Sequence, residues 1–139
     1  MSSKFIVAVA FVIERNGQIL MLRRSIDKDH APGTWETGSG RVEYGEGAKA
    51  AVRREVLEET GLEVEIMAPV ATFHFYRGVA REEAIGITFW CRYVAGELVT
   101  SAEHDLARWV SPAEAGLMVG SPGEAAAIEQ VAKLSRGAS

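Results

Sequence analysis

The sequence predicts a mixed α/β domain whose strands and helices share one core. Three observations predict it. Apolar, β-branched runs recur at 5–14, 18–24, 63–77 and 83–95. One long helical stretch, 46–60, falls between the second and third of these runs. Two further helical stretches, 111–118 and 121–135, close the chain, and each opens with Ser-Pro.

"FIVAVAFVIE" (5–14) is a strand by its β-branched content, and "RNG" (15–17) is a hairpin turn into a second strand, "QILMLRR" (18–24). Residues 25–40 are dense in Gly, Ser, Asp and Pro and read as loop, followed by a short extended piece and a turn at "RVEYGEG". "EGAKAAVRREVLEET" (46–60) combines Ala and Leu with acid in its expected first turn, and Gly61 is the stop. Pro69 is expected to interrupt the strand over 63–77, and a strand over 83–95 follows. "GELVTS" and "ARWVS" read as shorter pieces. Ser111 and Ser121 are N-caps, with Pro112 and Pro122 at the first helical position.

The chain has 139 residues, enough for one domain spanning 1–139, and 47% are apolar, enough for a core. Its formal net charge is −4 and no basic stripe is present, which argues against nucleic acid or an anionic membrane as partner. The apolar N-terminal run is too short to span a bilayer and flows into the hairpin, so it reads as strand. The single cysteine, Cys91, forms no disulfide within the chain and reads as a small buried hydrophobe. A reducing cytoplasm is the expected compartment.

Glu55, Glu58 and Glu59 crowd one end of the best helix, although like charges at i, i+4 cost roughly 0.2–0.5 kcal/mol per pair. At about 100° per residue, Ala48, Ala51, Val52, Glu55 and Glu59 share a stripe with Glu58 at its edge. Arg53 and Leu57 lie opposite, so the helix is expected to be covered on more than one side. A surface helix with Glu/Arg pairs is one reading, with Arg54 and Glu58 at pairing distance. The other is a cation site, because partly buried carboxylates need a positive neighbour to stay charged together. Carboxylates without nearby His or Cys suit Mg²⁺ or Mn²⁺ rather than zinc.

Context decides between them. A Gly/Ser-rich loop leads straight into the helix. Residues 40–62 read Gly40, five residues, Glu46, seven residues, Arg54-Glu55-Val56, one residue, Glu58-Glu59, one residue, Gly61-Leu62. This is the complete box of the Nudix hydrolases, and the chain resembles that family over most of its length, including "RWVSPAEA" late in the chain. One departure is Thr37-Gly38-Ser39-Gly40, where the family often has Pro-Gly-Gly before the box.

The resemblance implies an α+β Nudix fold, an α/β/α sandwich with a mixed sheet. It implies hydrolysis of nucleoside diphosphates linked to another moiety, with Mg²⁺ or Mn²⁺. It makes Glu55, Glu58, Glu59 and the Ser39 carbonyl metal ligands. Arg54 orients the box carboxylates, Glu46 braces the loop, and Gly61 ends the helix. The general base is Glu55 or Glu103 of "SAEHDLARW", and His104 beside Glu103 is expected to be a loop residue. Arg24, and less so Arg23, are candidates for the substrate phosphate. Trp35 is a candidate for stacking a base. "FHFYR" (73–77) puts Phe73 and Phe75 on one side of a strand and His74 and Tyr76 on the other.

Signatures of the NADH, ADP-ribose, diadenosine polyphosphate and coenzyme A subfamilies are absent. That points to nucleoside triphosphates or simple nucleotide sugars. Two rival readings are a catalytically silent Nudix-fold nucleotide-binding or regulatory module, and a purely structural acidic helix. Relatives are often homodimers, and the apolar first strand offers itself as an edge for a second copy.

Overall fold

The computed structural model describes residues 4–28 and 31–137. Residues 29 and 30 of the expected loop, and the ends of the expected 1–139 domain, lie outside the described residues. The strands are β1 (Ile6–Arg15), β2 (Gln18–Arg24), β3 (Trp35–Glu36), β4 (Ser39–Arg41), β5 (Glu63–Arg77), β6 (Glu82–Ala95) and β7 (His104–Val110). The helices are α1 (Ala48–Thr60), α2 (Pro112–Met118) and α3 (Pro122–Gly137).

The β1–β2 turn places Asn16 and Gly17 at φ of 51° and 82°, both in the left-handed region that a tight hairpin requires. Beyond Ile19, β2 no longer pairs with β1. It pairs instead with β3 at Leu22–Arg23 and with β7 from Ile19 to Arg24. β1 takes β4 antiparallel at Ala8–Ala10 and β6 in parallel over Ile6–Glu14. β5 closes the far edge against β6. One parallel pairing among antiparallel ones makes the sheet mixed. Strands β3 and β4 fill the gap where β1 and β2 part, and they lead directly to α1.

Two apolar layers cover the sheet. Val9, Phe11, Ile13, Leu20 and Leu22 pack under Ala51, Val52 and Val56 of α1. Val12, Ile19, Met21 and Trp90 pack under Ala115 of α2 and Ala127, Ile128 and Val131 of α3. The result is the α/β/α sandwich of the α+β class. Val9, Val12 and Ile13 are all buried because β1 is covered on both faces, so its sequence runs apolar rather than alternating. Cys91 is buried in β6 as expected, and burial pushes its thiol up to about 12.

Several expectations need correction. β1 is a central strand with both edges occupied, so it cannot serve as an edge for a second copy; the outer strands of the sheet path are β3 and β5. Residues 25–40 are not wholly loop, since they contain β3 and the start of β4. Pro69 does not break β5. It sits between register shifts on an edge strand, where a missing N–H is tolerated. Helix α1 begins at Ala48 and carries no acid in its first turn, because Glu46 precedes it. Leu57 is 56% exposed and Arg53 is exposed, so α1 is covered on one side only.

Candidate functional site

The site grows from the two ends of α1. At its C-terminus Gly61 adopts φ 74° and its N–H donates to the Leu57 carbonyl, closing the helix. A Cβ at Gly61 would lie 2.8 Å from the Glu97 carbonyl oxygen, so the following loop also requires glycine here. The Thr60 hydroxyl donates to the Val56 carbonyl at 2.6 Å, and the Val99 N–H donates to the Thr60 carbonyl at 2.9 Å. These bonds hold the last turn, which carries Glu58 and Glu59, in one orientation.

Before α1, β4 brings Ser39 and Gly40 against β1. A Cβ at Gly40 would sit 2.1 Å from Glu55 Cδ. Glycine is therefore needed for the Glu55 carboxylate to lie against the strand. Gly38, at φ 113°, is equally constrained, because a Cβ there would meet the Phe11 ring at 2.2 Å.

Arg54 binds the loop to the helix. Its Nε and Nη2 donate to the two Glu46 oxygens at 2.8 and 2.9 Å, a bidentate pair. Nη2 also donates to the Arg41 carbonyl at 2.9 Å, and Nη1 donates to Glu55 Oε1 at 2.8 Å and Glu58 Oε2 at 3.4 Å. The guanidinium holds the Glu46 carboxyl down at about 2, and the Glu43 N–H donated to Glu46 assists. Glu46 thus shapes the loop and does not face the acidic cluster as a free carboxylate.

Glu59 is in the opposite condition. It is 3% exposed, and neither of its oxygens has a hydrogen-bond partner. Burial, then the Glu55 carboxylate beside it, pushes its carboxyl up to about 10, with smaller contributions from Glu103 and Glu36. Glu58 stays more open, with 59% of its side chain exposed. Buried, unpartnered carboxylate oxygens beside a second carboxylate and the Ser39–Gly40 backbone are a donor set that fits a hard divalent cation.

Glu103 is exposed in the turn before β7, near enough to act on Glu59 electrostatically. His104 is not the loop residue expected. It opens β7 with a fully buried side chain and contacts Glu36 Oε2 at 2.9 Å through Nε2. Glu36 was not singled out by the sequence. It lies 68 positions from His104, and only the pairing of β2 with both β3 and β7 brings them together.

Arg24 Nη1 is 3.7 Å from Glu36 Oε1, at the border of the same cluster. Arg23 points elsewhere and donates to Asp105 at 2.8 Å. Trp35 packs against the α2/α3 core and bridges to Val119. It is not among the residues that line the adjoining cavity. That cavity has a volume of 390 Å³, within the roughly 300–1,000 Å³ typical of small-molecule sites. Glu36, Ser39, Phe73, Phe75, Thr88 and Glu124 are among its walls, so it runs from the acidic cluster to the N-terminus of α3. The alternation in "FHFYR" pointed to Phe73 and Phe75 as a pair, and their rings stack 5.8 Å apart.

Comparison with known proteins agrees with this geometry. The NUDIX domain model matches residues 4–131. A CTP pyrophosphohydrolase of Escherichia coli K12 is 34% identical over 112 residues, covering 81% of this chain and 80% of that protein. The solution structure of the E. coli ORF135 protein superposes with a TM-score of 0.75 at 30% identity, covering 98% and 94% of the two chains. A crystal structure of a MutT protein from Methanosarcina mazei gives a TM-score of 0.76 at 27% identity, covering 98% and 99%. The chain belongs to the NUDIX family, as a Nudix-type pyrophosphohydrolase.

Proposed function

We propose that this chain, as one domain over residues 1–139, hydrolyses the pyrophosphate linkage of a nucleoside diphosphate joined to another moiety. The substrate is of the nucleoside triphosphate or nucleotide-sugar type, and the enzyme works in a reducing cytoplasm. The observation that carries the reading is Glu59, buried with both oxygens unpartnered and facing Glu55 beside a cavity of nucleotide scale. A silent binding module has no comparable support, because Glu55, Glu58 and Glu59 are all in place.

Glu55, Glu58, Glu59 and the Ser39 carbonyl would hold Mg²⁺ or Mn²⁺, which when bound supplies neutralisation of phosphoryl charge and polarisation of water. The chain's own residues do the rest. Arg54 clamps Glu55 to the loop through Glu46, so the carboxylates arrive preorganised. Of Glu103 and Glu55, we take Glu103 as the acceptor for the proton of the attacking water. Its carboxylate is in the solvent-exposed turn, whereas Glu55 Oε1 is already taken by Arg54. The nucleoside lies in the cavity against Phe73 and Phe75. Arg24, at the border of the cluster, is nearer the phosphates than Arg23, which is tied to Asp105.

The test is a Mg²⁺- and Mn²⁺-supplemented hydrolysis panel. It covers canonical and oxidised nucleoside triphosphates, nucleotide sugars, ADP-ribose, NADH and dinucleoside polyphosphates, with Glu59→Gln as control. Turnover of at least one compound, abolished in the variant, is the expected result. No turnover of any compound while a cation still binds would overturn the reading in favour of a binding module.

A further inference from the structure

The buried histidine at the head of β7 has no role in the reading above. His104 Nε2 lies 2.9 Å from Glu36 Oε2, and an ionised carboxylate can only accept. A neutral ring that donates from Nε2 to Glu36 presents its Nδ1 lone pair to Glu59. Nδ1 faces Glu59 Oε1 at 3.8 Å, and neither Nδ1 nor either Glu59 oxygen has a hydrogen-bond partner. The side chains involved are 0% and 3% exposed, so water does not freely reach the gap.

The length of the gap selects its occupant. An N–H···O bond spans about 2.7–3.2 Å, so a proton on Nδ1 does not close 3.8 Å. Two coordination bonds of about 2.0–2.2 Å close it at an obtuse ligand–ion–ligand angle. One ligand atom from each of Glu36, Glu59 and His104 lies within 4.8 Å of the others. A carboxylate that fixes the far nitrogen of an imidazole is also the usual support of a metal-binding histidine.

We propose that His104 Nδ1 is a nitrogen ligand to a divalent cation shared with Glu59, with Glu36 orienting the ring, so that this centre takes a transition metal such as Mn²⁺ in preference to Mg²⁺. The inference rests on the reading of Glu59 as a cation ligand and deepens it. Imidazole nitrogen suits first-row transition metals, whereas Mg²⁺ demands near-octahedral oxygen geometry and keeps several waters. A wholly buried nitrogen donor offers Mg²⁺ neither.

The decisive experiment is pulsed electron paramagnetic resonance on the Mn²⁺-loaded wild-type protein, with and without ¹⁵N-histidine labelling. A ¹⁴N modulation that converts to the ¹⁵N pattern on labelling is the expected result. Of the other histidines, His74 is half exposed against Glu83 on the β5–β6 hairpin. In His104→Gln the modulation is lost, and the ratio of Mn²⁺ to Mg²⁺ affinity by calorimetry falls about tenfold or more. Mn²⁺ bound without nitrogen coupling in the wild type overturns the proposal and leaves the hydrolase reading standing. No Mn²⁺ binding at all overturns both. His30→Gln and His74→Gln, at the chain's other two histidines, keep the modulation, which assigns it to His104 even where His104→Gln fails to fold; its loss in either of them overturns the proposal.

Discussion

Glu46 and Glu59 sit at opposite ends of the same loop–helix segment and are held in opposite ways. Glu46 receives three hydrogen bonds, two from Arg54 and one from the Glu43 N–H, and its carboxyl is held down at about 2. Glu59 receives none, is buried, and is pushed up to about 10. The chain places its one guanidinium in this segment's interior on the loop, on Glu55 and on Glu58, and leaves Glu59 without a counter-charge. A carboxylate that is satisfied internally shapes a scaffold. One that is buried and left unsatisfied is a place where a cation from solution gains the most.

The largest way to break this contrast is to remove the unsatisfied member. Glu59→Gln is expected to lower kcat by on the order of 10²–10³-fold, as for loss of one preorganised electrostatic group. Steady-state kinetics at saturating Mn²⁺ check it. The cation-free protein sharpens the same point through pH. Glu59 has a folded pKa raised to about 10 from 4.5, so its contribution is full below pH 4.5 and is lost as pH rises toward 10. Urea unfolding of cation-free wild type should therefore weaken between pH 5 and pH 8. Glu59→Gln should flatten the trend, and Mn²⁺ should reverse it in the wild type.

Glu46 runs the other way. Its depressed pKa means that its contribution is present above pH 4.5 and is lost as pH falls toward 2. Arg54→Lys keeps the charge but loses the bidentate fork, and is expected to cost 10–100-fold in activity or metal affinity, the range for outer supports of a metal site. A carboxyl NMR titration of Glu46 that moves back toward its ordinary range in Arg54→Lys would tie that loss to the loop.

Smaller in effect is Gly40→Ala, whose methyl meets Glu55 Cδ at 2.1 Å. It should destabilise by about 1–3 kcal/mol, as overpacking does, and weaken Mn²⁺ binding because Glu55 must move. Denaturant midpoints and calorimetry read both. Smallest is Arg23→Ala. It breaks an exposed pair with Asp105 and is expected to change stability by less than about 1 kcal/mol, with Mn²⁺ affinity unchanged.

The legible parts of this molecule are local in sequence. The Asn16–Gly17 hairpin, the Ser111 cap with Pro112, the glycine stop at Gly61 and the spacing of Arg54, Glu55, Glu58 and Glu59 each depend on neighbours within a turn or two of chain. Periodicity reports such neighbours directly. The surroundings of Trp35 and Arg23 were not legible, for the complementary reason. Both have side chains suited to a ligand, but the register of β3 turns Trp35 toward the α2/α3 core, and the strand pairing of β2 with β7 gives Arg23 to Asp105. His104 and Glu36 were out of reach because their meeting depends on two strand pairings and a separation of 68 residues.

The sequence alone determined the family, the order of the long strands and helices and the identity of the acidic box, because short-range spacing encodes helix faces, turns and caps. Tertiary structure alone decided which carboxylate is satisfied and which is left bare. Burial and counter-charge are properties of packed surroundings, set here by where β3, β4 and β7 converge on the last turn of α1.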